Sequence, residues 1–169
     1  MRGIGGVLIL LAGWILGVER LRPIKKRLDI LEQLCCALER LYGELSSRPT
    51  ALGELFYGLA KECDEEAAAF FGLLSRRMDR LSTQSFAEIW QDCLHQSFAQ
   101  MGKEERRELE KLGGILGHYD LPEQLAAMKP ILSRLHGMLM GLREDFPVRR
   151  RLCLGVSCCL AAMLTLVLY

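Results

Sequence analysis

The chain has 169 residues, which fits one domain with short additions and argues against a multi-domain enzyme. Its 22 Lys and Arg are balanced by 21 Asp and Glu, so a net charge of +1 argues against a nucleic-acid binder that depends on bulk positive charge. Hydrophobic residues make up 50% of the chain although 25% is charged, which indicates that apolar residues are concentrated in parts of it.

The first element is an uncharged apolar stretch over residues 3–18. At 1.5 Å per residue it covers roughly 24 Å, and it approaches membrane thickness if Glu19 and Arg20 extend toward the lipid headgroups. A cleaved signal peptide is the alternative, but no small-residue cleavage motif precedes Glu19 and a basic cluster follows it. We therefore predict a transmembrane helix over residues 1–21.

A long helix is predicted next, over residues 22–46, where apolar side chains recur at alternating steps of four and three. These side chains are Ile24, Leu28, Leu31, Cys35, Leu38, Tyr42 and Leu45. The heptad spacing fits a seam inside a helical bundle and a coiled coil with a second copy equally well.

Four shorter helices follow, recognised by their cap and breaker residues. Pro49 suits the first turn of one helix, and the acidic run 64–66 suits the opening turn of the next. Ser85 and Glu88 have the spacing of a capping box, and Gly102 is expected to end the helix that this box begins. The predicted spans are 49–63, 64–81, 85–98 and 103–116.

The sixth helix is predicted to begin at Asp120 and Glu123, which suit its capping turn. Pro130 either ends or kinks this helix, and we favour a kink because the apolar stripe continues beyond it. The loops between the predicted helices are short, so neighbouring helices fold back on one another. The expected fold is all-α, with about six helices bundled over residues 22–148.

The last element is a second uncharged stretch over residues 152–169, long enough to cover roughly 27 Å. With the preceding Arg149, Arg150 and Arg151 it forms a basic flank and a transmembrane helix over 149–169. Lys and Arg residues are enriched on the cytoplasmic side of a transmembrane span. Both ends of the chain are therefore predicted outside the cytoplasm and the bundle inside it. The alternative role of these bases is to bind anionic lipid, and we favour the topological one.

Small residues in the first span form a GxxxG pair, Gly13 and Gly17. Such a pair lets two helix backbones approach closely in lipid, here against small residues of the second span. Chance occurrence in a glycine-rich stretch is the alternative reading.

No motif for catalysis, cofactor or metal is evident in the sequence. The histidines His95, His118 and His136 lack HxxxH or HExxH spacing, and the seven cysteines form no CxxC pair. No glycine-rich phosphate loop occurs either. We predict a protein that is not an enzyme and has no cofactor, no metal and no nucleic-acid partner. An unrecognised site around His118 and Asp120 is the alternative.

The fifth helix carries charges of both signs at spacings that allow pairing along one helix. They are Lys103, Glu104, Arg106, Arg107, Glu108, Glu110 and Lys111. A solvated face is the ordinary reading of this pattern, and a docking face for a partner protein is the alternative.

Several stretches together resemble one protein family. They are ERLRPIKKRL, LEQLCCALERLYGEL, SSRPTAL, FAEIWQDCL around Trp90, and LGHYDLPEQL, in which Leu116, Gly117, Asp120 and Gln124 match an LGxxDxxxQ pattern. In this combination and order the chain resembles the stage III sporulation protein AB family. The matching residues are mostly those that pack or cap helices. Pro130 departs from the expected family pattern.

The resemblance implies a membrane scaffold of the channel complex that links mother cell and forespore. This family is similar to the inner-membrane platform proteins of type II secretion and type IV pilus systems, whose cytoplasmic helical domains couple a secretion ATPase to the membrane apparatus. The implied partners are the cognate stage III sporulation ATPase, other channel subunits and membrane lipid, with self-association left open. The implied location is the mother-cell membrane facing the forespore. A platform of a pilus or secretion system outside sporulation is the alternative.

Overall fold

The computed structural model describes the backbone of residues 2–47, 51–118 and 120–168, and the side chains of most residues between 21 and 156. Its helices are α1 Arg2–Ser47, α2 Leu52–Glu62, α3 Glu65–Arg77, α4 Phe86–Ser97, α5 Lys103–His118 and α6 Leu121–Leu168, with a 3₁₀ turn Met78–Ser82 between α3 and α4. No strand occurs among the residues described, and for them the all-α prediction is confirmed.

Both ends of α4 agree with the predicted span 85–98, but the residue predicted to stop it does not lie at its end. The Ser85 hydroxyl accepts from the Glu88 N–H at 3.3 Å, and the Glu88 carboxylate accepts from the Ser85 N–H at 3.0 Å, so the capping box is confirmed. The prediction that Gly102 ends this helix is wrong, because the backbone leaves the helix at Phe98. Gly102 lies before α5 instead, where its carbonyl accepts from the Arg106 N–H at 3.1 Å.

The other boundaries differ from the predicted ones by a few residues. α2 begins at Leu52, and Pro49 lies outside the described residues. α3 ends at Arg77 and tightens into the 3₁₀ turn, where one helix to residue 81 was expected. α6 continues through Pro130, so the helix does not end there. The Pro130 ring is exposed, and the predicted kink at this residue stays a prediction.

The chain divides into two compact units. We call Asp29–Leu139 the bundle, and it lies inside the predicted domain 22–148. We call Met1–Leu28 together with Met140–Tyr169 the terminal unit. The long helices α1 and α6 contribute residues to both.

α1 contributes a broad apolar face to the core of the bundle. Its buried side chains there are Ile30, Leu31, Leu34, Cys35, Ala37, Leu38, Leu41 and Leu45. The heptad seam left out Ile30, Leu34, Ala37 and Leu41. A face this wide is typical of a helix packed inside a globular bundle, whereas a two-stranded coiled coil buries a narrower stripe.

An aromatic cluster from α2, α3, α4 and the residue after α4 fills the rest of this core. Its members are Phe56, Phe70, Phe71, Phe86, Trp90 and Phe98, each 6% exposed or less. Neighbouring rings lie 5.0 to 6.3 Å apart between centroids, and Phe70 meets Trp90 edge to face. These contacts hold α4 in place against α2 and α3.

Among the residues that the structure describes, no helix has the length and hydropathy of a membrane-crossing segment. The predicted spans 3–18 and 152–169, with Gly13 and Gly17, fall mainly on positions whose side chains lie outside this description. The two spans stay predictions.

Candidate functional site: the α4, α5 and α6 surface

Trp90 anchors α4 against α5. Its side chain is fully buried, and its Nε1–H donates to the Leu109 carbonyl at 2.7 Å. A Cβ on Gly113 would overlap the indole ring, so a glycine there lets the two helices approach closely. Trp90 therefore fixes the position of α5 against α4.

Four motif residues meet at the corner between α5 and α6. The Gln124 side-chain amide donates to the Leu116 carbonyl at 3.0 Å, and the Gln124 backbone N–H donates to the Asp120 carbonyl at 2.9 Å. A Cβ on Gly117 would lie 3.0 Å from Cβ of Phe86. Leu116 is buried. The Gln124 amide thus supplies a hydrogen-bond partner for the Leu116 carbonyl at the end of α5, because the last carbonyls of a helix have no partner within the helix.

The charged residues of α5 point in several directions. Lys103, Glu104 and Arg107 are exposed. Arg106 makes contacts within the fold, because its guanidinium donates to the Phe98 carbonyl at 2.8 Å and lies 3.1 Å from His95 Nδ1. It ties the chain after α4 to α5.

Glu108 is also an internal residue, only 7% exposed. Its carboxylate accepts from Lys111 Nζ at 2.5 Å and lies 3.5 Å from Arg134 of α6. The hydrogen bond from Lys111 lowers the pKa of Glu108 below its usual 4.5, although burial opposes the shift. Glu110 approaches His95 at 3.6 Å.

The seven predicted docking residues therefore do not share one face. We call the exposed set Lys103, Glu104 and Arg107 the α5 patch. Their exposure distinguishes these three residues from most of the other charged residues of α5. The charge pattern in the sequence does not indicate which of the seven are exposed. Lys111 is exposed too, but it is paired with Glu108.

An open groove between α2, α3 and α4 was not predicted. Its volume is about 730 Å³, and small side chains such as Ala69 and Gly72 form part of its lining. At its margin Tyr57 is 56% exposed, with Lys61 Nζ 4.3 Å from the ring centroid. The exposure of Tyr57 could have been predicted only by knowing which side of α2 faces the solvent, because tyrosine is also common in cores.

Metal-ligating side chains do not gather within the described part of the chain: no group of three or more His, Cys, Asp or Glu has a suitable arrangement there. His136 lies 3.3 Å from Glu39 of α1, a contact between two helices. The His118 side chain, part of the alternative enzymatic site, is outside the described positions.

Comparison with known proteins gave two matches. The family model of stage III sporulation protein AB matches residues 2–169. A solved structure titled "Stage III sporulation protein AB (SpoIIIAB)" is similar with a TM-score of 0.65 and 22% sequence identity, covering 72% of this chain and 97% of that one. At this identity the structural match supports the fold alone. A search of curated proteins returned no match.

Proposed function

The chain belongs to the stage III sporulation protein AB family, and we propose that it is a non-enzymatic membrane scaffold of the channel complex between mother cell and forespore. The observation that carries the proposal is the family match over residues 2–169. A match to a sporulation family favours this role over that of a platform in a general pilus or secretion system.

Within this role the bundle couples the cognate stage III sporulation ATPase and other channel subunits to the membrane. The α5 patch is the proposed contact for the ATPase. Its three charged side chains are exposed on a helix that Trp90 and the α5–α6 corner hold in place, so docking there requires no rearrangement of the core. Exposed charges of this kind set partner specificity and association rate.

The terminal unit is the proposed membrane anchor, in the mother-cell membrane facing the forespore. Support comes from α6, where Val148, Leu152 and Val156 are spaced by four residues and are 57%, 62% and 58% exposed. A row of large apolar side chains on one helix face is unfavourable in water and typical of contact with lipid or protein.

A triple charge reversal tests the docking surface. We expect Lys103→Glu, Glu104→Lys and Arg107→Glu together to reduce co-purification of the sporulation ATPase by about tenfold or more, because like charges would then oppose each other across the interface. Membrane fractionation of the variant should stay unchanged.

The matched control reverses the same charge types elsewhere on the bundle. Arg80, Glu54 and Lys129 are exposed and outside α5, and Arg80→Glu, Glu54→Lys and Lys129→Glu should leave ATPase capture intact. Equal capture by the α5 variant and the wild type would reject the α5 patch. Equal loss in both variants would show that bulk charge, and not this surface, governs the interaction.

A further inference from the structure

The nearly neutral chain separates its charge between the two units. Residues 1–28 and 140–169, the terminal unit, carry ten Lys and Arg against three Asp and Glu. The bundle, residues 29–139, carries twelve against eighteen. The terminal unit therefore has a net charge of +7 and the bundle one of −6. Charge asymmetry of this size between parts of one chain is typical of contact with a polyanionic surface.

The bases of the terminal unit are concentrated beside the two apolar stretches. Nine of the ten lie within residues 20–27 and 143–151. Arg22, Lys25, Arg150 and Arg151 are exposed, and none of them has an ion pair or hydrogen bond with another described residue. Arg22 and Lys25 are three residues apart on α1, so their side chains extend from neighbouring positions of one helix.

Exposed apolar side chains accompany these bases on α6. Val148 and Leu152 flank Arg150 and Arg151, and each is more than half exposed. Basic and apolar side chains next to each other suit the boundary between headgroups and acyl chains, where the apolar part enters lipid and the charge stays at the phosphates. A nucleic acid would satisfy the charges and leave the valine and leucine in water.

We propose that Arg22, Lys25, Arg150 and Arg151 form a binding surface for anionic phospholipid headgroups. This inference rests on the proposed anchoring of the terminal unit and adds a lipid preference to it.

The test uses the full chain reconstituted in vesicles of phosphatidylcholine and phosphatidylglycerol in which one lipid is brominated. Bromine quenches nearby tryptophan fluorescence, and Trp14 lies in the first apolar stretch whereas Trp90 is buried in the bundle. We expect phosphatidylglycerol to be enriched around the protein by about threefold or more at low salt, since each base near an anionic surface adds to the attraction.

Neutralising the four bases should abolish this preference. With Arg22→Gln, Lys25→Gln, Arg150→Gln and Arg151→Gln, the enrichment should fall toward onefold. The matched control is Arg76→Gln, Lys103→Gln, Arg107→Gln and Lys129→Gln, four exposed bases of the bundle. It should keep the full enrichment.

Each remaining outcome counts against a definite claim. Equal quenching by the two brominated lipids would refute the anionic preference and leave the anchor standing. Absence of quenching by either lipid would refute the anchor, and the lipid surface with it. Equal loss in the control variant would assign the effect to total charge and overturn the four-residue surface.

Discussion

Gly113 and Gly114 are neighbours in α5 but have opposite surroundings. A Cβ on Gly113 would overlap the buried Trp90 ring, whereas nothing lies within 4 Å of the corresponding position at Gly114. The sequence suggests close packing for this glycine-rich segment without indicating which glycine provides it. Only the placement of α4 against α5 distinguishes the two residues.

We expect Gly113→Ala to lower the free energy of unfolding by about 1–3 kcal/mol, because the indole must shift in a filled core and risks its hydrogen bond to Leu109. Gly114→Ala is the matched control and should be neutral or stabilising by up to about 1 kcal/mol, since alanine favours helix. Urea unfolding followed by fluorescence measures both. A Gly113→Ala chain as stable as the control would contradict the close contact.

The adjacent cysteines Cys35 and Cys36 differ in the same way. Cys35 is buried in the face of α1, and burial, with a smaller contribution from Glu39, raises its pKa to about 12. Cys36 is exposed. We expect iodoacetamide at pH 8 to modify Cys36 at least about tenfold faster, because the thiolate is the reactive form and Cys35 holds almost none. Peptide mass spectrometry over time measures the two rates, and similar rates would contradict the burial of Cys35.

At the scale of elements, α5 shows how far a charge pattern can be interpreted. The pattern predicts a helix with paired charges, and the structure has that helix at Lys103–His118. Three of the seven predicted docking residues, Arg106, Glu108 and Glu110, instead make contacts outside α5. Their partners are Phe98, Arg134 and His95, which belong to other parts of the fold, so no spacing within one helix could identify them.

The lowered pKa of Glu108 predicts that the stability gained from its contacts between α5 and α6 depends on pH. Its pKa is lowered in the folded chain, so it stabilises the fold above about pH 4.5 and loses this effect as pH falls through the lowered value. We expect Glu108→Gln to cost about 1–2 kcal/mol at pH 7, because Lys111 and Arg134 lose a charged acceptor but stay solvated.

The difference between Glu108→Gln and the wild type should shrink as pH falls from about 4.5 through the lowered pKa of Glu108, because protonation makes the glutamate side chain as neutral as glutamine. Unfolding curves from pH 3 to pH 7 would measure it. Glu104→Gln, an exposed change on the same helix, should alter stability by less than about 0.5 kcal/mol. A cost for Glu108→Gln that is constant over this range would rule out the charge as its source.

At the scale of the whole molecule, the total charge conceals the distribution. A net charge of +1 argues against a basic surface, yet the division into two units places eighteen of the 21 Asp and Glu in the bundle, whereas nine of the 22 Lys and Arg lie beside the apolar stretches. The Lys and Arg residues beside the apolar stretches also support the predicted orientation of the two spans in the membrane.

That orientation predicts where two introduced thiols can be labelled. In a cysteine-free background, Lys103→Cys should not react with a membrane-impermeant maleimide in intact cells and should react after permeabilisation, because the bundle is predicted inside. Arg2→Cys, predicted outside, is the control and should react in intact cells. The opposite pattern would reverse the topology.

The helical content of this chain is predictable from local signals. Apolar periodicity along α1, the capping box at Ser85 and the breaker residues between elements each act within a few residues, so the sequence carries them directly. Gly102 was misassigned because glycine favours both the end of one helix and the start of the next. The actual exit at Phe98 depends on the aromatic cluster that holds that ring.

The all-α class, the family and the two apolar stretches can be predicted from the sequence alone, because they depend on composition, spacing and order along the chain. Which of two neighbouring residues is buried or makes a contact depends on how the helices pack: Arg106 and not Arg107, Cys35 and not Cys36, Gly113 and not Gly114. The physical reason is that adjacent helical positions differ by about 100° in direction, and what each direction meets is set by helices from distant parts of the chain.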